Sequence, residues 1–228
     1  MICLSILKRT NEEALALMER YTDLCDIVEL RLDSMVNPDL KKLCVSRRCP
    51  VIATNRKKDE GGCFEGTESA RVALLCEAVE RGVDYVDIEL RTGKKEAQMI
   101  VDAHARTKKR TQLIVSYHDI EGTPSLRRLR TIALQCRARG ADMVKIVTRA
   151  RVIEDTISIL QLLHHARATE TPMAAFCMGP EGRLSRIAAP LFGSRISYVA
   201  AGKADETAPG QFTIREMNTV MEILRRQT

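Results

Sequence analysis

The stretch Gly140-Ala141-Asp142-Met143-Val144-Lys145-Ile146-Val147-Thr148 is a short apolar run with one lysine in its middle. Its length and its β-branched residues predict a strand. A buried ammonium without a partner is costly, so such a strand carries a lysine only where the amine reaches a solvated mouth or serves chemistry. The alternative is an exposed edge strand, on which a lysine prevents pairing with another chain. Taken alone, this stretch favours the exposed edge, because most lysines in strands serve that purpose.

The segment before this run favours chemistry. Residues 112–119 form another apolar run, which ends at His118, and residues 125–139 show the spacing of an amphipathic helix that stops at Gly140. A strand, a helix and a strand in this order predict two parallel strands, and reactive groups of parallel α/β folds gather at the carboxyl ends of the strands. We therefore expect His118 and Lys145 to be neighbours, as a general base and an amine nucleophile.

The same alternation of strands and helices extends over the whole chain. Eight runs have the pattern of strands, at residues 2–7, 26–33, 50–54, 85–91, 112–119, 140–148, 172–178 and 196–200. Two of them, 26–33 and 85–91, alternate apolar with charged residues between flanking helices, which suggests the polar lumen of a barrel. We predict an α/β fold, a single (β/α)8 barrel domain over residues 1–228. A doubly wound open sheet is the alternative, but the first strand is followed by no GxGxxG turn.

Composition excludes several classes of function. The formal charge is +6, but 36 basic residues are mixed with 30 acidic ones, aromatics are 4% and there is no Trp, so we expect no nucleic-acid partner. The densest basic runs, 56–58 and 108–110, fall at predicted element ends. The eight cysteines show no CxxC pair or metal-ligand spacing, so we expect reduced thiols, no metal and no cofactor. No signal peptide or 18-residue apolar stretch is found, which predicts a cytoplasmic protein without a membrane span.

Several motifs, in their order and spacing, resemble the type I 3-dehydroquinate dehydratases, and the resemblance runs over nearly the whole chain. It rests on Glu29-Leu30-Arg31-Leu32-Asp33, residues 56–62, Asp87-Ile88-Glu89, Ser116-Tyr117-His118-Asp119, Thr123-Pro124, residues 140–145, residues 178–186 and Ala208-Pro209-Gly210-Gln211. The resemblance implies a barrel enzyme of the shikimate pathway of aromatic amino-acid biosynthesis. Its partner would be the small molecule 3-dehydroquinate, without a cofactor, and a homodimer is a family expectation.

The resemblance also implies a mechanism. Lys145 would form an imine with the ring ketone, and His118 would remove a proton from the adjacent carbon and then protonate the departing hydroxyl. An iminium is a better electron sink than a ketone, so the neighbouring C–H becomes acidic enough for an imidazole. Lys145 must attack as the free amine, which we expect burial and nearby arginines to favour. Asp87 is implied as the carboxylate that orients His118, with Glu60 as a second acidic neighbour.

Four further residues match positions that bind the polar groups of the substrate. Arg186 matches the arginine that holds the substrate carboxylate, a task suited to the planar guanidinium. Glu29, Arg31 and Arg56 match residues that bind the ring hydroxyls. For each of them a surface salt bridge is the plainer alternative.

The resemblance also assigns the walls and cover of the site. Met178 and Tyr198 match apolar walls of the pocket, for which ordinary core packing is the plainer explanation. Gln211 matches a residue of a loop that closes over the substrate, and residues 202–211 are rich in small and polar residues, which suggests a mobile lid. Thr207 stands where a serine is expected and keeps the hydroxyl. Tyr117 replaces a small polar residue, and its side chain is expected to face the outer helices.

Two other functions are compatible with a lysine in a barrel strand. A class I aldolase also forms an imine in a (β/α)8 barrel, but most aldolases need a phosphate site in the loops after the seventh and eighth strands, where this chain carries Arg186 and residues 208–211. A catalytically silent barrel that binds a metabolite is the other alternative. It predicts a missing nucleophile or base, whereas His118 and Lys145 are both present.

Overall fold

Strands and helices alternate along the chain in the computed structural model, which describes residues 1–45, 48–107 and 110–226. The strands are β1 Ile2–Ile6, β2 Ile27–Arg31, β3 Val51–Thr54, β4 Tyr85–Glu89, β5 Gln112–Asp119, β6 Met143–Arg149, β7 Met173–Met178 and β8 Ser197–Val199. The α-helices are α1 Asn11–Tyr21, α2 Leu40–Val45, α3 Glu68–Arg81, α4 Lys94–Ala105, α5 Leu126–Ala138, α6 Ile153–Ala168, α7 Arg183–Ala188 and α8 Ile214–Arg225. The basic run at 108–110 was expected at the end of an element, and its residues 108 and 109 lie outside the described residues.

All eight strands are parallel, and their order around the sheet is β7-β6-β5-β4-β3-β2-β1-β8. Beyond the two ends of this ladder, the N–H of Arg195 donates to the carbonyl of Met173 at 2.8 Å and brings the chain before β8 to the start of β7. The sheet therefore curls into a nearly closed barrel. The (β/α)8 prediction is confirmed, and the open sheet is wrong.

The two-residue period of the strands sorts side chains between the lumen and the helices. The lower lumen holds an apolar cluster that includes Cys3, Ile27, Ile52, Ile114, Met143 and Ala174. Higher in the lumen, the inward side chains of β1 to β6 are polar and remain buried: Ser5, Glu29, Thr54, Asp87, Ser116 and Lys145. The alternate positions pack outward into the larger core beneath the helices. The bottom of the barrel lumen is therefore apolar, and the layer above it is polar.

Local signals fix where the helices begin and end. Thr10 caps α1 in a capping box with Glu13, and Thr213 does the same for α8 with Glu216. Gly82 ends α3 in the left-handed conformation, at φ 77°. Among the described residues, no helix is both long and apolar enough to cross a membrane.

Two strands end two residues earlier than predicted. The strand expected over 26–33 ends at Arg31, and Leu32–Ser34 forms a 3-10 turn because Asp33 folds back to bind the Arg31 guanidinium. The strand expected over 85–91 ends at Glu89. Arg91, expected on the polar inner side, instead lies outside the barrel, with its guanidinium 5.2 Å from the centre of the Tyr117 ring. The outward direction of Tyr117 is as predicted.

Candidate active site

Lys145 lies in the polar layer of the lumen, between two carboxylates and an aromatic ring. Its Nζ is 2.9 Å from Glu29 Oε1, 3.0 Å from Asp87 Oδ2 and 4.1 Å from the centre of the Tyr198 ring. The edge-strand alternative is wrong, because β6 is paired with β5 and β7 on its two sides. The sequence suggested arginines as neighbours of this amine, but carboxylates contact it. Two carboxylates and the face of an aromatic ring thus surround the Lys145 amine.

Both carboxylates beside Lys145 are held ionised. Burial alone would raise the pKa of Glu29, but Lys145 and then Arg31 outweigh it and lower that pKa below its ordinary value. Burial opposes ionisation of Asp87 as well, and there the Arg56 guanidinium and Lys145 hold the pKa well below its usual range. Hydroxyl groups complete the polar layer. Ser5 donates to Glu29 at 2.6 Å, Thr54 donates to Glu29 at 3.0 Å and Ser116 donates to Asp87 at 2.6 Å.

His118 lies at the carboxyl end of β5, directly beside Glu60. Its backbone N–H donates to Glu60 Oε2 at 2.9 Å, and its Nδ1 lies 3.2 Å from the same oxygen. Burial, with the nearby cations of Arg56 and Lys145, lowers the pKa of His118 well below its ordinary value, so the imidazole is neutral at pH 7. Burial also raises the pKa of Glu60 to about 7, although Arg56 opposes the shift. Glu60 therefore makes the contact that the sequence analysis assigned to Asp87, which acts on the imidazole only through its charge.

Arg56 is enclosed by acceptors in the polar layer. Its Nη2 donates to Asp87 at 2.6 Å, and its Nη1 donates to Ser116 at 2.7 Å and to Glu89 at 3.1 Å. Glu89 also forms an ion pair with Arg71, whose Nη1 lies 2.8 Å from Glu89 Oε2. Arg56 thus lines the cavity and also places a positive charge beside the carboxylates of Asp87 and Glu89. Sequence reasoning missed Glu89 and Ser116 as members of the site, although both occupy inward positions on predicted strands.

Arg31 forms a bidentate ion pair with Asp33. Its Nε and Nη2 donate to the two oxygens of Asp33 at 2.9 and 2.8 Å. Asp33 also accepts the backbone N–H of Cys63 at 2.9 Å, which ties the loop after β3 to β2. The pair therefore fixes this loop, and with it the short helical turn Lys58–Glu60 that presents Glu60 to His118.

Arg186, on α7, is a buried cation that has no anionic partner among the described residues. It is 3% exposed, and its guanidinium lies 4.5 Å from the centre of the Phe176 ring. Its Nη2 donates weakly to the carbonyl of Pro209 at 3.4 Å, while its Nε has no partner. Within the described ranges no carboxylate lies within 4.0 Å of it, and burial lowers its pKa to about 10. Such a guanidinium is suited to an anionic ligand that supplies the missing acceptors.

Residues 202–211 lie over the mouth of the barrel and are held there by several bonds. Gln211 Oε1 accepts from the backbone N–H and the hydroxyl of Thr207 at 2.8 and 3.1 Å. The N–H of Gly179 donates to the carbonyl of Pro209 at 3.1 Å, and Lys8 forms an ion pair with Asp205 at 2.5 Å. The enclosed cavity has a volume of about 70 Å³. Ligand pockets usually measure about 300–1,000 Å³, so this cavity is smaller than most.

Eleven of the twelve predicted site residues line this one cavity: Glu29, Arg31, Arg56, Glu60, His118, Lys145, Met178, Arg186, Tyr198, Thr207 and Gln211. The twelfth, Asp87, lies beneath it and contacts Lys145. Gly61, Ile120, Val147, Phe176 and Ala208 also line the cavity and were not predicted. A buried amine, a neutral imidazole and an unpaired guanidinium thus face a common space.

A family model described as type I 3-dehydroquinase matches residues 2–228. The chain belongs to the type I 3-dehydroquinase family. A 3-dehydroquinate dehydratase of Desulfotalea psychrophila is 38% identical over 219 residues, which cover 96% of each chain. One from Methanopyrus kandleri is 36% identical over 230 residues and is covered completely, with 98% of this chain matched.

Solved structures of the type I 3-dehydroquinase family share the fold. The type I 3-dehydroquinate dehydratase of Clostridium difficile, which carries covalently modified comenic acid, superposes with a TM-score of 0.90 at 25% identity and covers 100% of this chain and 93% of its own. The 3-dehydroquinate dehydratase of Aquifex aeolicus gives a TM-score of 0.81 at 27% identity, with 99% of both chains covered.

Proposed function

We propose that this chain is a hydro-lyase that dehydrates 3-dehydroquinate to 3-dehydroshikimate through a lysine Schiff base, in the shikimate pathway. The observation that carries the proposal is the shared cavity of Lys145, His118 and Arg186, which are a nucleophile, a base and a carboxylate receptor. Family membership supports this reaction over the aldolase and the silent-barrel alternatives. A homodimer and a cytoplasmic location remain part of the proposal, on the strength of the resemblance.

The first step forms the imine. The ammonium of Lys145 releases a proton to solvent, because Glu29 and Asp87 are held ionised at low pKa, and a solvent proton is taken up again when the carbonyl oxygen leaves as water. The free amine then attacks the ring ketone, the carbonyl oxygen leaves as water, and the iminium remains. Glu29 and Asp87 lie within 3.0 Å of Nζ and stabilise the positive charge of the iminium.

The second step is proton transfer by His118. Glu60 Oε2 binds the Nδ1 side of the ring, which leaves Nε2 to remove the proton from the carbon next to the iminium. The electron pair of the C–H bond moves into the iminium and gives an enamine. His118 then protonates the departing hydroxyl, the enamine electrons expel it as water, and hydrolysis of the remaining imine releases the enone.

Other residues of the cavity position the ring. Arg186 receives the carboxylate, which ends its lack of an acceptor. Glu29, Arg31 and Arg56 bind the ring hydroxyls. Met178 and Tyr198 form apolar walls, and Thr207 and Gln211 close over the ligand. Removal of bulk water protects the enamine and strengthens each charged contact.

The experiment that tests the proposed function is an absorbance assay with purified protein and 3-dehydroquinate. The product is a conjugated enone, so ultraviolet absorbance should rise with time in proportion to the enzyme. Lys145→Ala is the matched control and should give no rise. A flat trace with the unaltered and folded chain would refute the proposal.

A further inference from the structure

A second cavity, of about 470 Å³, lies outside the barrel and is unrelated to the catalytic site. It is formed where the chain after β4 passes α5, and we name it the outer pocket. Tyr117 and Ile132 form part of its wall, and three arginines line it: Arg91, Arg128 and Arg139. Because Tyr117 points outward from β5 and His118 points into the lumen, the two cavities lie on opposite faces of the same strand.

The three arginines leave the outer pocket positively charged. Across the parts of the chain that the structure describes, no carboxylate forms an ion pair with any of them. Arg91 stacks on the Tyr117 ring at 5.2 Å, and Arg139 donates only to the carbonyl of Thr92 at 3.0 Å. The cavity arginines of the barrel differ, since Arg31 and Arg56 are paired with carboxylates.

The acidic residue that contacts this wall through Tyr117 is already engaged. Asp119 accepts the Tyr117 hydroxyl at 3.1 Å through Oδ2, and it accepts the backbone N–H groups of Glu121 and Gly122 at 3.1 and 3.0 Å through Oδ1. It therefore caps its own turn and does not neutralise the three guanidiniums. Their charge remains available to an anion from solvent.

We propose that the outer pocket binds a small molecule that carries a phosphate monoester on a flat apolar body. A phosphate monoester places nearly two negative charges on one group, which suits a pocket lined by three guanidiniums better than a single carboxylate does. Leu90 and Tyr117 line the pocket beside the arginines and supply apolar surface for the rest of the molecule. A second copy of this chain would bring the same cations against one another, so the charge favours an anionic small ligand over self-association at this surface.

Calorimetric titration of the full chain with phenyl phosphate tests the proposal. We expect saturable binding of one molecule per chain, tighter than binding of benzoate and absent with phenol. Arg91→Gln and Arg128→Gln should each weaken it about tenfold, the value of one lost charge-assisted contact. Arg127→Gln is the matched control, since Arg127 is an exposed residue of the same helix that does not line the pocket, and it should leave binding unchanged.

The catalytic site contains Arg186 and is the obvious competing location for an anion. Binding that survives Arg186→Gln and is weakened by Arg128→Gln belongs to the outer pocket. The proposal is overturned if phenyl phosphate does not bind, if Arg91→Gln and Arg128→Gln bind it as the unaltered chain does, or if Arg186→Gln abolishes the heat. Because Arg91 and Arg128 are exposed, unchanged thermal unfolding should show that both variants fold.

Discussion

Glu60 holds His118 at two points through a single oxygen, Oε2, which accepts the backbone N–H at 2.9 Å and lies 3.2 Å from Nδ1. The backbone contact fixes the carboxylate, and the carboxylate in turn fixes the ring. The other oxygen, Oε1, is buried without a partner. A glutamate on a short turn after β3 thus orients an imidazole at the end of β5.

Glu60→Gln should change the pH dependence of the reaction. Burial raises the pKa of Glu60 to about 7, so the carboxylate becomes anionic as the pH rises through that value and makes His118 a stronger base. We expect kcat/KM to rise through about pH 7 in the unaltered enzyme and to lose that limb in the variant. At higher pH the variant should be slower on the order of tenfold, equivalent to about one pKa unit at His118. Identical profiles would contradict this role, and exposed Glu121→Gln is the control.

The same substitution should change the pH dependence of stability. The pKa of Glu60 is raised from 4.5 to about 7, so the stability that its neutral form provides is present below pH 4.5 and lost as the pH rises through 7. The Glu60→Gln side chain cannot ionise. Between pH 4.5 and about 7, the free energy of unfolding of the variant should therefore rise relative to that of the unaltered chain, by up to about 3 kcal/mol. Urea unfolding at both ends of the interval measures the difference.

His118→Ala should separate imine formation from proton transfer. The lysine remains, so the variant should still form the imine, but kcat should fall by a factor on the order of 10² or more, the usual contribution of a positioned acid-base group. Single-turnover mass spectrometry measures the imine, and steady-state kinetics measures kcat. His164→Ala removes an exposed imidazole and should leave both unchanged. Near-normal kcat in His118→Ala would be incompatible with the mechanism.

Arg186→Gln should weaken substrate binding more than it slows the chemical step. The guanidinium is 3% exposed, and its Nε has no acceptor until a carboxylate arrives. Loss of a charge-assisted pair should raise KM by about tenfold or more. Arg149→Gln, at the exposed end of β6, the strand that also carries Lys145, is the matched control. An unchanged KM would remove Arg186 from the carboxylate site.

Gly210→Ala should prevent residues 202–211 from docking. Gly210 has φ +80°, and a Cβ there would lie 2.6 Å from the carbonyl oxygen of Gly179. The left-handed conformation alone costs about 1–2 kcal/mol with a side chain, so the closed population should fall about 5- to 30-fold. KM should rise, and trypsin should cleave at Lys203 faster in the variant when ligand is bound. Gly202→Ala, at an extended position, should leave both readouts unchanged.

The trypsin experiment also tests whether the segment is a lid in the unaltered enzyme. Cleavage at Lys203 should be fast without ligand and slow when substrate or product saturates the site. Equal rates in both states, with normal kinetics in Gly210→Ala, would show that the segment is an ordinary connection.

The sequence was sufficient to predict the barrel, because the fold follows from local patterns. Eight apolar runs alternate with helical segments. Parallel pairing brings His118 and Lys145 to adjacent strands, where Ser116 rather than His118 is the direct partner of Lys145. The strand ends were harder to predict. Arg91 continued the alternation of β4, but the strand stops at Glu89, and the next side chains follow the path of the loop.

The partners within the site could not be predicted from the sequence. Asp87 and Glu60 are both acidic residues near a predicted base, and only the turn Lys58–Glu60 decides which one touches the imidazole. The carboxylates around Lys145 come from β2 and β4, far from β6 in the chain. Contacts of this kind depend on the closure of the barrel, which brings side chains from several strands to one point.

Trapping with borohydride tests most directly the central claim, that Lys145 is the nucleophile. Reduction in the presence of substrate or product should inactivate the enzyme and add the mass of the ligand to the peptide that contains Lys145. Lys145→Ala should gain no mass under the same conditions, while Lys203→Ala, which lacks an exposed lysine of the covering segment, should be trapped as the unaltered chain is. A stable adduct on another lysine, or turnover without any adduct, would contradict the account.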